Sequence, residues 1–220
     1  MKLRPIAEVA ESLGIGPESW IPYGRDVGKL PLSLLETERP RPDPARLVLV
    51  SAITPTPAGE GKTTTSIGLA QAMARIGESA CLALREPSLG PAFGLKGGAT
   101  GGGRSCLHPT DKINLHFTGD FHAITAANNL LAALLDNHLH HGNALDIDPK
   151  RILWRRALDV NDRSLRRIVA GLGGPADGVA RESGFDITAA SEVMAILCLA
   201  EGLEDLRVRL DRTLVAFDRQ

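Results

Sequence analysis

Gly59, Gly61, Lys62, Thr63 and Thr64 close the run Thr54-Pro55-Thr56-Pro57-Ala58-Gly59-Glu60-Gly61-Lys62-Thr63-Thr64, and their order suits them to hold a polyphosphate. Glycines let backbone amides approach an anion closely, and a helix that starts near the lysine adds unpaired N–H groups and a partial positive charge. The chemistry this predicts is nucleotide binding. Thr56, Pro57, Ala58, Gly59, Glu60, Gly61, Lys62, Thr63 and Thr64 surround the phosphates of ATP, Lys62 reaches the terminal phosphates, and the Thr63 hydroxyl ligates Mg²⁺. The strict phosphate-loop pattern, Gly-x-x-x-x-Gly-Lys-Ser/Thr, has glycine where this chain has Thr56. A Gly-rich turn with a chance Gly-Lys-Thr is the plainer alternative, and the flanking segments weigh against it.

Those segments are what must position the loop. Before it, Leu47-Val48-Leu49-Val50-Ser51-Ala52-Ile53 is short, apolar and β-branched, as expected of a strand buried on both faces of a parallel sheet. After it, Thr63 to Arg75 reads as a helix with Ile67, Ala70, Met73 and Ala74 on one stripe, closed by Gly77. Ala80 to Leu84 is a second apolar run, which completes a βαβ unit. Further on, the pattern predicts a strand over Ile113 to Thr118, helices over Ala123 to Leu139, Ser164 to Ala170, Ser191 to Ala200 and Leu203 to Leu210, and a buried strand over Thr213 to Phe217. Asn161-Asp162 is the expected cap of the Ser164 to Ala170 helix. This alternation predicts an α/β fold, a doubly wound parallel sheet of P-loop NTPase type, incomplete at the C-terminus. Residues 1–46, with Pro22, Pro31, Pro40, Pro42 and Pro44 after an amphipathic start, read as an N-terminal arm, and residues 47–220 as the truncated nucleotide-binding domain.

Arg85-Glu86 falls at the end of the second predicted strand, where ligands gather in such sheets. The fork of Arg85 matches a carboxylate or phosphoryl group, so a small acid fits there; a solvated Arg–Glu surface pair is the alternative. Seven glycines between Gly90 and Gly103 predict a loop, within which Lys96 is a second phosphate contact or a solvated charge. His116, Thr118 and Asp120 fall on the polar side of one predicted strand and could hold Mg²⁺, water or substrate, or His116 could be a core histidine. His138, His140 and His141 cluster at a helix end without a third metal ligand nearby.

Composition narrows the field. The 220 residues suffice for one sizeable α/β domain, and a net charge of -1 gives no electrostatic case for nucleic acid or an anionic membrane. No apolar run approaches a membrane span, and Met1 to Ala10 carries charges where a signal peptide has its apolar core, so a cytoplasmic location is expected. Three cysteines, Cys81, Cys106 and Cys198, suggest reduced thiols, with Cys81 and Cys198 as small core residues and Cys106 in a loop.

Beyond these local signals, long strings carry a resemblance. Thr54 to Thr65, Leu84-Arg85-Glu86-Pro87-Ser88-Leu89-Gly90-Pro91, Gly94-Leu95-Lys96-Gly97-Gly98-Ala99 and Ile113-Asn114-Leu115-His116-Phe117-Thr118-Gly119-Asp120 resemble the formate–tetrahydrofolate ligases, or formyltetrahydrofolate synthetases. So do Asn128-Asn129-Leu130-Leu131-Ala132-Ala133, Gly171-Leu172-Gly173-Gly174 and Phe185-Asp186-Ile187-Thr188. The resemblance runs from about Tyr23 to the end. It implies that ATP phosphorylates formate to formyl phosphate, which N10 of tetrahydrofolate then attacks to give 10-formyltetrahydrofolate in one-carbon metabolism. It assigns catalytic parts to Lys62 at the phosphates, Arg85 at formate and formyl phosphate, and Glu86 in orienting Arg85 or substrate. It also implies ATP and Mg²⁺, tetrahydrofolate as substrate, room for a monovalent cation, and a homotetramer.

Two departures stand out. Thr100 and Arg104 replace an alanine and a tyrosine of the family's glycine loop. Members are also well over twice this length, their later domains supplying the aromatic folate pocket. The isolated chain is therefore expected to bind nucleotide without making formyltetrahydrofolate. A truncated, non-catalytic nucleotide-binding paralogue or gene fragment is one rival reading. A P-loop switch ATPase is another, though such proteins carry a second lysine early in the loop, where this chain has Pro57.

Overall fold

Among the described residues before Lys62, proline and glycine leave only short elements. In the computed structural model, which describes residues 3–36, 46–54, 56, 58–92 and 99–220, α1 (Ile6–Ser12) is followed by the two-residue strands β1 (Ile21–Pro22) and β2 (Gly28–Lys29). Then come α2 (Lys62–Arg75), the single turn α3 (Leu89–Ala92), β3 (Gly101–Gly102), β4 (Ser105–Cys106), α4 (Thr110–Asn114) and the long helix α5 (Asp120–His140). The remainder alternates more often: β5 (Ile147–Ile152), β6 (Arg156–Leu158), β7 (Ile168–Ala170), β8 (Arg181–Ser183), β9 (Phe185–Ile187), α6 (Glu192–Leu199), α7 (Leu203–Asp211) and β10 (Ala216–Asp218). The architecture is mixed α/β, and the chain divides into two units, Met1–Arg85 with Ala99–Ile113, and Glu86–Gly98 with Asn114–Gln220.

In the first unit, α2 forms where Ala, Gln, Met and Leu favour helix, and Gly77 follows its last turn with a φ of 84°. The helix buries Ile67, 1% exposed, against the β3–β4 hairpin. The approach is close. A side chain at Gly68 would come within 3.0 Å of Ser105 Oγ, and one at Gly101 within 2.8 Å of Ile67 Cδ1.

The expected buried strand over 47–53 is corrected here. It joins no sheet among the described residues, and Leu47, Leu49 and Ile53 are 97%, 84% and 106% exposed. Ala80 to Leu84 is likewise outside any sheet. A parallel strand exists only through hydrogen bonds to neighbouring strands, and among the described residues nothing pairs with either run.

The second unit is organised by α5. Phe121, Ile124, Asn128, Ala132, Leu135 and Leu139 are buried along one stripe, spaced by threes and fours. Ile124, Ala132, Leu135 and Leu139 join Ile147, Trp154, Val193 and Met194 in one core. At the start of α6, Ser191 Oγ accepts the Met194 amide hydrogen at 3.3 Å. β5 and β10 pair antiparallel with Ile152 opposite Ala216, β7 and β8 antiparallel with Val169 opposite Glu182, and β6 and β9 parallel with Ala157 opposite Asp186. Asn129 binds β6 from the helix: its Nδ2 donates to Ala157 O at 3.0 Å and its Oδ1 accepts from Ala157 N at 2.7 Å.

Every sheet among the described residues has two strands, and four of the five are antiparallel. Three further expectations are corrected. The strand expected buried over Thr213 to Phe217 forms as β10, paired antiparallel with β5, but Leu214 is 56% and Phe217 39% exposed. Residues 113–118 end α4 and then bend toward Gly119 instead of forming a strand. Ser164 to Ala170 is not a helix: Asp162 Oδ1 does accept the Ser164 amide hydrogen at 2.8 Å, but Ile168–Ala170 pairs with β8. Cys81 and Cys198 are exposed rather than in the core, and Cys106 is half-buried with its Sγ 3.6 Å from His108 Nε2. No helix among the described residues is long and apolar enough to cross a membrane.

Candidate functional site

The phosphate loop lies wholly in the first unit. Gly59 and Gly61 have φ of 81° and 67°, left-handed conformations that glycine adopts without strain, and the Gly59 amide donates to Thr56 O at 3.1 Å. Gly61 is the cap residue of α2, and no side chain caps the helix. The first i to i−4 bond runs from Thr65 N to Gly61 O at 2.9 Å, so among the described residues the amides of Lys62, Thr63 and Thr64 have no acceptor. Left-handed glycines followed by open first-turn amides are a backbone arrangement that can hold an anion.

Lys62 is not idle in this arrangement. Its Nζ lies 3.4 Å from Glu60 Oε2. Hydrogen bonding from Thr56, and then from Lys62, holds the Glu60 carboxyl below its usual range. Lys62 is exposed and Thr63 half-buried. Among the described residues no three His, Cys, Asp or Glu side chains stand together as a metal site. A single Thr63 hydroxyl fits Mg²⁺, which keeps several waters and takes its remaining ligands from phosphates. Thr56, Ala58, Gly59, Gly61 and Thr64 are exposed, Glu60 is half-buried, and Pro57 and Lys96 lie outside the described residues. Arg85, exposed, closes the first segment of this unit.

The second unit opens with Glu86, around which a closed cluster is built. Glu86 Oε2 accepts the Phe121 amide hydrogen at 3.1 Å in the first turn of α5, an amide also 3.0 Å from Asp120 Oδ1. Glu86 Oε1 lies 3.3 Å from His116 Nδ1. On the other side of that ring, His116 Nε2 is 2.5 Å from Pro87 O; a carbonyl only accepts, so Nε2 carries a hydrogen. His122 Nε2 sits 2.9 Å from His116 Nδ1 and 3.0 Å from His116 O.

Burial first, and then a hydrogen bond shared with Asp120, push the Glu86 carboxyl up to about 7; the Phe121 amide pulls the other way. Two carboxyl groups bonded to each other hold a proton between them, so the raised Glu86 carboxyl can give and take a proton near neutrality, with the His116 ring beside it. Gly119, at φ 130°, admits no side chain, because a Cβ there would collide with the Glu86 carboxyl. The segment is also gripped from β6: Asp159 Oδ1 accepts from Ser88 Oγ at 2.5 Å and Oδ2 from Leu89 N at 2.8 Å.

A family model described as formate–tetrahydrofolate ligase matches residues 1–220. The chain belongs to the formate–tetrahydrofolate ligase family. Among curated members, a formate–tetrahydrofolate ligase of Acidiphilium cryptum is 63% identical over 98% of this chain and 38% of its own length. Formate–tetrahydrofolate ligase 2 of Rubrobacter xylanophilus is 60% identical over 100% of the chain and 38% of its own. That of Saccharopolyspora erythraea is 58% identical over 99% and 38%. The chain thus spans 38% of the length of these ligases.

Of the residues singled out in the sequence, Thr56 to Thr64 meet in one loop because they are contiguous, whereas Glu86, His116 and Asp120 are joined by folding alone. His122 and Asp159 carried no sequence signal as site residues. His122 stands two residues past Asp120 in a helix, and Asp159 is 71 positions from the serine it holds. At the far end of α5, His138 Nε2 accepts from Leu145 N at 3.3 Å, and His140 packs edge-on against His141 at 4.9 Å.

Proposed function

We propose that this chain is the ATP- and formyl phosphate-handling part of an ATP-dependent formate–tetrahydrofolate ligase. A formate oxygen attacks the terminal phosphorus of ATP and ADP leaves; N10 of tetrahydrofolate then attacks the formyl carbon and phosphate leaves. The observation that carries the reading is the pair of left-handed glycines, Gly59 and Gly61, opening onto uncapped first-turn amides in a member of this family. Backbone amides over 56–64 would hold the phosphates, and Lys62 would exchange Glu60 for the terminal phosphate oxygens. Mg²⁺, held by the Thr63 hydroxyl, would neutralise developing charge on those oxygens. Arg85 would take the formate carboxylate in its fork, and Glu86 would orient it or a substrate group. Positioning and charge neutralisation are most of what phosphoryl transfer requires.

The same reading gives the chain a doubly wound α/β fold of P-loop NTPase type and makes it part of a cytoplasmic homotetramer. Calorimetry of Mg-ATP on the chain and on Lys62→Ala tests the core of the proposal. Loss of the charge-assisted contact costs about 2–3 kcal/mol of binding, and equal affinities would refute it.

A further inference from the structure

Two residues downstream of Glu86 the chain is clamped. Ser88 and Leu89 each donate to one oxygen of Asp159, at 2.5 and 2.8 Å, and Asp159 is only 8% exposed. Asp159 directly follows β6, which β9 holds through backbone pairing and Asn129 holds through both backbone groups of Ala157. The carboxylate is therefore delivered by a fixed element. Gly90 seats the same turn flush on the next residues, since a side chain there would stand 3.1 Å from the Asn161 amide nitrogen and 3.0 Å from Ile187 Cδ1. Upstream, Pro87 O meets His116 Nε2. Every residue from Pro87 to Gly90 is thus located against 116 or 159–161, while the Glu86 carboxyl reaches α5.

We propose that Asp159 is the positioning residue for Glu86: by gripping Ser88 and Leu89 it fixes the stretch of chain that delivers the Glu86 carboxyl to His116 and to the first turn of α5. The proposal rests on the part assigned to Glu86 above. The groups that face Glu86 are Asp120 and the Phe121 amide from α5, His116 with His122 behind it, and the charge of Asp159 from the end of β6. The charge of Asp159 acts in the same direction as its grip, since both keep the Glu86 carboxyl protonated to higher pH.

The test uses the whole chain labelled with ¹³C-glutamate and ¹⁵N-histidine and follows the Glu86 carboxyl and the His116 ring by NMR from acid to alkali. In the unaltered chain the Glu86 carboxyl is expected to titrate at about 7. Asp159→Asn removes charge and one acceptor, and Ser88→Ala removes one donor. In both, the carboxyl is freed toward water, its midpoint falls from about 7 toward 4.5, and the His116 Nδ1 resonance, now farther from Glu86 Oε1, no longer responds to that titration. Ser88→Thr retains the hydroxyl and keeps both signals, a rescue that a purely structural loss would not show.

Folded Asp159→Asn and Ser88→Ala chains that titrate as the unaltered one would overturn the proposal. So would a Glu86 that titrates near 4.5 in every form. If Asp159→Asn fails to fold, the Ser88 pair decides alone. Mg-ATP affinity measured on the same samples separates the two readings, because its absence in every form counts against the proposed function and leaves the Glu86 titration to judge Asp159.

Discussion

The phosphate loop and the Glu86 cluster keep their hydrogen-bonding groups in opposite conditions. A Cβ added at Gly59 or Gly61 would meet no described residue within 4 Å, the amides of 62–64 have no acceptor among the described residues, and Lys62 is exposed. Around Glu86 the amide of Phe121, the ring of His116 and the carboxyl of Asp120 are already engaged. The loop leaves donors open. The cluster supplies a proton already held, with its partners in place. A binding region can stay open at little cost because its polar groups are solvated, whereas a buried carboxyl must be satisfied by the fold itself.

One substitution made in both regions sharpens this contrast. Gly119→Ala forces a strained φ and drives a methyl group into the Glu86 carboxyl, so it should lower stability by about 2–3 kcal/mol, seen in chemical denaturation. Gly59→Ala meets no neighbour and carries only the backbone strain, about 1 kcal/mol. Its larger consequence should be weaker Mg-ATP binding. If both lose equal stability, the loop is not the open region described.

The pH response of the cluster follows from its sign. The Glu86 carboxyl binds its proton more tightly in the folded chain than its ordinary value of 4.5 allows, so it favours the folded state wherever it is protonated. That contribution is complete below about 4.5 and is lost as pH rises through about 7. Glu86→Gln should therefore flatten the stability profile between those values, with the difference from the unaltered chain growing toward neutrality. Parallel profiles from pH 4 to 8, in steps of about one unit, would break the assignment. The smallest effect is expected at Leu49→Lys, within about 0.5 kcal/mol, because that residue is exposed. A loss of several kcal/mol would show instead that 47–53 is buried.

Legibility in the sequence followed the range of the forces. Thr63 to Arg75 could be read because helix propensity and the Gly77 stop are local, and α5, α6, α7 and β10 emerged within a few residues of their expected bounds. Ile147–Ile152 escaped notice because Pro149, Lys150 and Arg151 resemble a loop; β10, some seventy residues later, pairs with it. Ser164 to Ala170 showed the local mark of a capped helix, Asp162 holding Ser164 N, yet pairing with Arg181–Ser183 decided its outcome. Period two over 113–118 misled in the same way, for His116 is turned inward to Pro87 rather than alternating on a sheet. The phosphate loop was readable as contiguous residues. The Glu86 cluster was not, because its members come from 86, 116–122 and 159.

The side-chain amide that Asn129 lays along Ala157 has a consequence for the company this strand can keep. With one donor and one acceptor, at 3.0 and 2.7 Å, the amide fills both main-chain valences of Ala157. The flank that a further strand, native or foreign, would use for zippering is therefore capped at its midpoint by a helix side chain. A three-residue strand cannot recruit a neighbour around such a plug, so β6 is closed on this flank to any strand of another copy.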